Sequence, residues 1–229
     1  MDWSIAKASI DYIKNHSLDL TNIRISFYGG EPMLNVALIT KIVTYAENSM
    51  PYKNIIFAMT TNLTLLTESF LEFMVKHNFK ITISFDGPKE VNDKNRLYAA
   101  NGESTYDTVV KKLKLIYDLH PDFLKKNVQI NAVTDKSEDV LKIKSFFETD
   151  LLTRGLSYHL SPVDDSKLKI QYNTSANYWK RKMIDRLKAM IAKTFDVDGN
   201  YDTEMLDDLF DKISKTNPPY SQLKMAHHN

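Results

Sequence analysis

Lys80-Ile81-Thr82-Ile83-Ser84-Phe85-Asp86 is the stretch that decides the fold. In a β-strand, successive side chains point to opposite faces. Ile81, Ile83 and Phe85 therefore share one face, and Thr82, Ser84 and Asp86 share the other. The pattern recurs downstream: Val128, Ile130 and Ala132 oppose Gln129 and Asn131, and Leu156, Tyr158 and Leu160 oppose Ser157, His159 and Ser161. Strands of a parallel sheet covered on both sides read as nearly continuous apolar runs. A polar face repeated on several strands instead predicts a curved sheet with helices outside and a wet, ligand-holding lumen inside.

Working outward, helical and extended patterns alternate along the chain, as βαβ units require. Helices are expected over Trp3–Asn15, Val36–Asn48, Glu68–His77 behind an N-cap Thr67, Tyr106–Leu119 ending before Pro121, and Glu138–Glu148. The remaining strands are expected at Arg24–Tyr28 and Ile55–Thr61. The fold class is α/β: an open, partial (β/α) barrel of about five parallel strands with outer helices, its first strand missing because the chain opens on a helix. Residues 1–162 are expected to form this barrel core. Residues 163–229, with a long helix Ala176–Phe195 and a shorter one Thr203–Lys215, are expected to form a helical extension packing on it.

The 229 residues are 43% hydrophobic, and 30 Lys and Arg balance 29 Asp and Glu. That composition is globular and gives no argument for nucleic acid as partner. No apolar run approaches the roughly 20 residues needed to cross a bilayer, so neither membrane insertion nor a signal peptide is expected and the cytoplasm is the default location. The chain has no cysteine. Disulfides, thiolate catalysis and cysteine-held iron–sulfur clusters are excluded from these residues.

The unusual residues fall at the C-terminal ends of the strands, where α/β barrels collect ligands. After the first strand comes Gly29-Gly30-Glu31-Pro32, two residues without Cβ and then a carboxylate. The second strand runs out in Thr60-Thr61-Asn62, followed by Leu63. The third leads into Asp86-Gly87-Pro88 and a loop reaching Asp93 and Arg96. Ser84 and Asp86 could hold a ribose; Arg96 is a candidate carboxylate clamp, because its planar donors fit two oxygens at once. His159 is a possible lumen contact. The histidines His227 and His228 and the basic run Lys180-Arg181-Lys182 are set aside as exposed surface.

In order and spacing, Ile25 to Pro32, Thr60 to Asn62, and Ile83 to Pro88 with Asp93-Lys94-Asn95-Arg96 downstream resemble the radical S-adenosylmethionine (SAM) superfamily. The likeness is greatest to members with a SPASM-type C-terminal domain, such as peptide thioether maturases and anaerobic sulfatase-maturating enzymes. It covers roughly Trp3 to Ser161. The resemblance implies that Gly29, Gly30 and Glu31 bind the methionine amino group of SAM. Ser84 would contact its ribose, Arg96 would lie near its carboxylate, and Asn131 would be a further lumen contact. Tyr28 would point toward the substrate side, and the partner would be a peptide or protein.

Two departures accompany the resemblance. Leu63 stands where the second-strand motif usually has glycine, so Asn62 is expected to sit differently. The Cys-x3-Cys-x2-Cys loop that holds the 4Fe-4S cluster is absent, as are the C-terminal auxiliary-cluster cysteines. The expectation is a fragment of a radical SAM enzyme, without the cluster loop and C-terminal domain of the parent. It would be inactive as it stands and would bind no cluster. A non-catalytic barrel binding a peptide or small ligand is the alternative; an unrelated hydrolase or isomerase barrel lacks an evident acid–base pair.

Overall fold

In the computed structural model, residues 1–134 and 137–162 are described. The helices expected at Ala176–Phe195 and Thr203–Lys215, and with them the extension over 163–229, lie outside the described residues.

The first three helices start where a polar side chain satisfies an amide left open in the first turn. Asp2 accepts from the Ile5 amide to begin α1 (Trp3–His16), and Asn35 accepts from Leu38 to begin α2 (Val36–Ser49). Thr67 does the same for α3 (Glu68–Lys76) through Phe70. The outer layer is completed by a single turn α4 (Lys89–Asn92), α5 (Tyr106–Leu119), α6 (Pro121–Asn127) and α7 (Ser137–Thr149). Two of these add to the sequence reading. α5 ends at Leu119, before Pro121, as expected, and Pro121 then occupies the first turn of the further helix α6, where its missing N–H costs nothing. The loop expected after Asp86-Gly87-Pro88 carries the single turn α4.

The strands are β1 (Asn22–Phe27), β2 (Asn54–Thr61), β3 (Lys80–Ser84), β4 (Val128–Thr134) and β5 (Ser157–Pro162). They form one five-stranded sheet in the order β1-β2-β3-β4-β5, every pair parallel. That order carries the architecture. A doubly wound sheet reverses direction part-way and so places helices on both faces. Here each crossover steps to the next strand without reversal, and crossovers of one hand then put all the helices on one side. This is the α/β partial barrel expected from the alternation.

Burial follows the same division. Ile23, Ile25, Ile81, Ile83, Phe85, Val128, Ile130 and Ala132 are buried beneath the helices, joined by Ile39, Val43, Leu71, Met74, Leu113, Ile116, Ile143 and Phe147. On the opposite face Arg24, Ser26, Gln129, Ser157 and His159 are exposed, and Thr82, Ser84 and Asn131 are half-buried. β2 breaks the alternation, since Phe57, Ala58 and Met59 are all buried. No described helix is long and apolar enough to cross a membrane.

Candidate functional site

The first crossover begins with Gly29 at φ +153°, a conformation that L side chains rarely adopt. A Cβ built on Gly29 or on Gly30 meets no atom of the described residues within 4 Å. Space lies open beside both glycines. Tyr28, immediately before them, is 83% exposed.

Glu31 follows, and its carboxylate is held on three counts. Oε1 accepts from the Met33 amide at 3.0 Å and from the Thr61 hydroxyl at 2.8 Å, and Oε2 accepts from the Asn62 amide at 2.8 Å. The first bond caps the short 3-10 helix Pro32–Asn35; the other two tie it to the end of β2. A carboxylate offers about four acceptor positions, two on each oxygen. Three are filled here, which leaves one on Oε2. Thr61, in the Thr60-Thr61-Asn62 run but given no role from sequence, pairs in register with Ile83 and is 2% exposed. Its proton goes to a group that can only accept, and its oxygen accepts from the Leu63 amide at 2.9 Å.

Asn62 turns its side-chain oxygen back on the chain, accepting from both the amide and the hydroxyl of Thr64. Leu63 has φ +65° and no exposed surface. The leucine takes up the left-handed conformation that glycine adopts most readily, at a cost of about 1–2 kcal/mol. Burial of its side chain, worth about 1.5–3 kcal/mol, offsets that strain.

The second group lies at the ends of β3 and β4. Ser84 is the register partner of Asn131, and Asn131 of His159, so the three form one rung on the open face. Ser161 donates to the Asn131 side-chain oxygen at 3.2 Å. Arg96 places Nε 2.6 Å and Nη2 2.9 Å from the two oxygens of Asp86. Asp86 also accepts from the Val133 amide at 2.7 Å, and its own amide donates to Asn92. The fork of Arg96 thus clamps a carboxylate of this chain. Asp86, with its side chain 4% exposed, is a buried staple between β3 and β4 rather than a ribose-binding group. Of the five N–H donors of Arg96, the Nη1 pair lies on the edge away from this fork. The β2–β3 register, whose last pair is Thr61–Ile83, sets the Glu31–Asn62 group beside the Ser84–Asn131–Arg96 group along one rim.

The comparisons with known proteins bear on what such a rim belongs to. A family model described as a 4Fe-4S single cluster domain matches residues 1–107. The chain is 44% identical over 109 residues to an uncharacterized protein of Methanocaldococcus jannaschii, covering 48% of this chain and 37% of that one. It is 24% identical over 201 residues to the cysteine-type anaerobic sulfatase-maturating enzyme of Clostridium novyi, covering 86% and 52%, respectively. With the radical SAM cyclopropyl synthase TigE of Paramaledivibacter caminithermalis it shares 26% identity over 162 residues, covering 69% and 30%. The structure superposes on native anSMEcpe with bound AdoMet and Kp18Cys peptide with a TM-score of 0.65, at 22% identity, over 85% of this chain and 53% of that chain. The chain is a relative of the SPASM-type radical SAM enzymes. It spans about half, or less, of the length of these curated relatives.

The residues present fit the two groups of that family unequally. For SAM, the rim supplies open space beside the diglycine and a carboxylate with one acceptor position remaining. For a 4Fe-4S cluster the usual donors are cysteine thiolates, and the sequence contains none. Among the described residues no cluster of three or more His, Asp or Glu could hold a metal ion either. The residues present therefore do not fit a 4Fe-4S cluster.

Proposed function

We propose that this chain is the SAM-holding part of a radical SAM enzyme that modifies a peptide or protein. The observation that carries the reading is the Glu31 carboxylate, fixed by Met33, Thr61 and Asn62 with one acceptor position remaining, directly after two glycines that have open space beside them. In this reading Glu31 accepts from the methionyl ammonium of SAM, and Gly29 and Gly30 let the nucleoside come close to the backbone. The outer edge of Arg96 faces the methionyl carboxylate, oriented by the ion pair with Asp86. Ser84 serves the ribose, with Asn131 beside it on the same rung. When bound to a reduced cluster, SAM supplies the 5′-deoxyadenosyl radical chemistry of the family. With no thiolate to hold a cluster, the 229 residues by themselves bind SAM weakly and carry out no radical step. The exposed polar face, with Tyr28 at its rim, would receive the peptide.

An amide-resolved NMR titration of the chain with SAM tests the assignment. Shifts at Gly29, Gly30, Asn62 and Ser84 are expected; saturating SAM that leaves all four unmoved removes the reading. Absence of cysteine favours one second reading, a barrel that binds a peptide or small ligand without radical chemistry. Tight, iron-independent SAM binding would select it over the first.

A further inference from the structure

We infer that Thr61 is a positioning residue for ligand ammonium binding: its buried hydroxyl aims the unfilled acceptor position of Glu31. The inference rests on the assignment of Glu31 to a SAM amino group and goes beyond it in naming what orients that carboxylate.

A threonine hydroxyl has one proton to give and can accept through its oxygen. The proton goes to Glu31 Oε1 at 2.8 Å, since a carboxylate has nothing to donate in return. The oxygen is occupied by the Leu63 amide at 2.9 Å. Thr61 is buried, so water does not compete for either bond.

Direction is what the hydroxyl supplies. With only the Met33 and Asn62 amides, the carboxylate would have one bond on each oxygen and two positions open, one on Oε1 and one on Oε2. Thr61 fills the former. What remains is a single acceptor position, on the oxygen that also meets the Asn62 amide at the end of β2. The hydroxyl is held in turn by the Leu63 amide, which donates to its oxygen from the turn that follows β2. A left-handed leucine, a buried hydroxyl and the Glu31 carboxylate therefore form one chain of contacts leading to the rim.

The test compares S-adenosylhomocysteine with the same molecule lacking its α-amino group, titrated into the full chain and into Thr61→Val and Thr61→Ser. The wild-type chain is expected to prefer the amino compound. Thr61→Val should lower affinity for that compound about tenfold, the scale of one lost charge-assisted hydrogen bond, while leaving the amino-free compound unchanged. Thr61→Ser should restore the preference, which a merely space-filling role would not predict. Unchanged affinity for the amino-free compound also shows that the variant is folded; if Thr61→Val does not fold, Thr61→Ala takes its place. A Thr61→Val variant that keeps the full amino preference overturns the inference and leaves the assignment of Glu31 standing. A wild-type chain that binds both compounds equally overturns the assignment itself, and the inference with it.

Discussion

Replacing Gly30 with alanine separates what folding asks of the diglycine corner from what a ligand asks of it. Gly30 is not among the positive-φ residues, and a Cβ built on it meets nothing among the described residues within 4 Å. Folding thus has no steric need for glycine at this position. An alanine compatible with the native backbone stabilises by about 0.4–1 kcal/mol, chiefly by restricting the unfolded chain. At about 2–4 °C per kcal/mol for a protein of this size, the melting temperature should rise by about 1–4 °C. The new methyl nevertheless projects into the space assigned to the nucleoside. Overpacking of that kind costs about 1–3 kcal/mol, or roughly 5- to 150-fold in affinity. The assay is paired: thermal melting by circular dichroism, and titration with S-adenosylhomocysteine. Gly29→Ala is the contrasting control, because its φ of +153° makes any side chain strained and should cost about 1–3 kcal/mol of stability. A Gly30→Ala protein that melts well below wild type would refute the backbone reasoning. One that binds as tightly as wild type would refute the placement of the ligand.

Further outcomes follow from the buried and charged groups. Arg96→Met strands the Asp86 carboxylate, whose side chain is only 4% exposed, and should cost about 3–5 kcal/mol in urea denaturation. Adding Asp86→Asn should recover about 1–3 kcal/mol of that loss, and simple additivity in the double variant would exclude the clamp. Leu63→Ala keeps the left-handed backbone but removes a fully buried side chain, so a loss of about 2–5 kcal/mol is expected on denaturation. Lys7 and then Tyr45, by hydrogen bonding to its charged form, hold the Asp11 carboxyl below its ordinary range. A depressed folded-state value stabilises above the unfolded one and is lost as pH falls through the folded one. Melting curves of wild type and Asp11→Asn should accordingly converge as pH drops below about 4, and a gap that widens there would contradict the assignment.

Much of the architecture was legible because period-two alternation reports a face directly. The fourth strand, expected over Val128–Thr134, and the helix expected over Tyr106–Leu119 match β4 and α5 residue for residue. β3 was read two residues too long, through Asp86, for a physical reason. Phe85 keeps the alternation and its amide still reaches the Asn131 carbonyl at 3.1 Å, although the chain is already leaving the sheet. The helix end before Pro121 was legible, but α6 was not, since the same missing N–H that marks the end of one helix also suits the first turn of the next. At the rim, sequence named Glu31, Asn62, Ser84, Arg96 and Asn131 but gave no sign of how they would be engaged. The Glu31–Asn62 bond spans 31 positions of chain, and the Arg96–Asp86 pair closes a loop of ten. Local pattern reports neither. Thr61 was noticed as part of Thr60-Thr61-Asn62 but given no role: a hydroxyl on the buried face reads as filler until the carboxylate it bonds is known.

The three bonds to Glu31 also bear on how such a site would age. A side chain that fastens a helix start to a strand end is kept by selection for folding alone, whether or not a nucleoside ever arrives. Arg96, as the counterion of a buried carboxylate, is under the same restraint. Gly30 is not, because nothing among the described residues fills the volume its side chain would take. If chemistry were abandoned in a lineage of such proteins, Gly30 would drift first, and Glu31 would persist long after its ligand was gone.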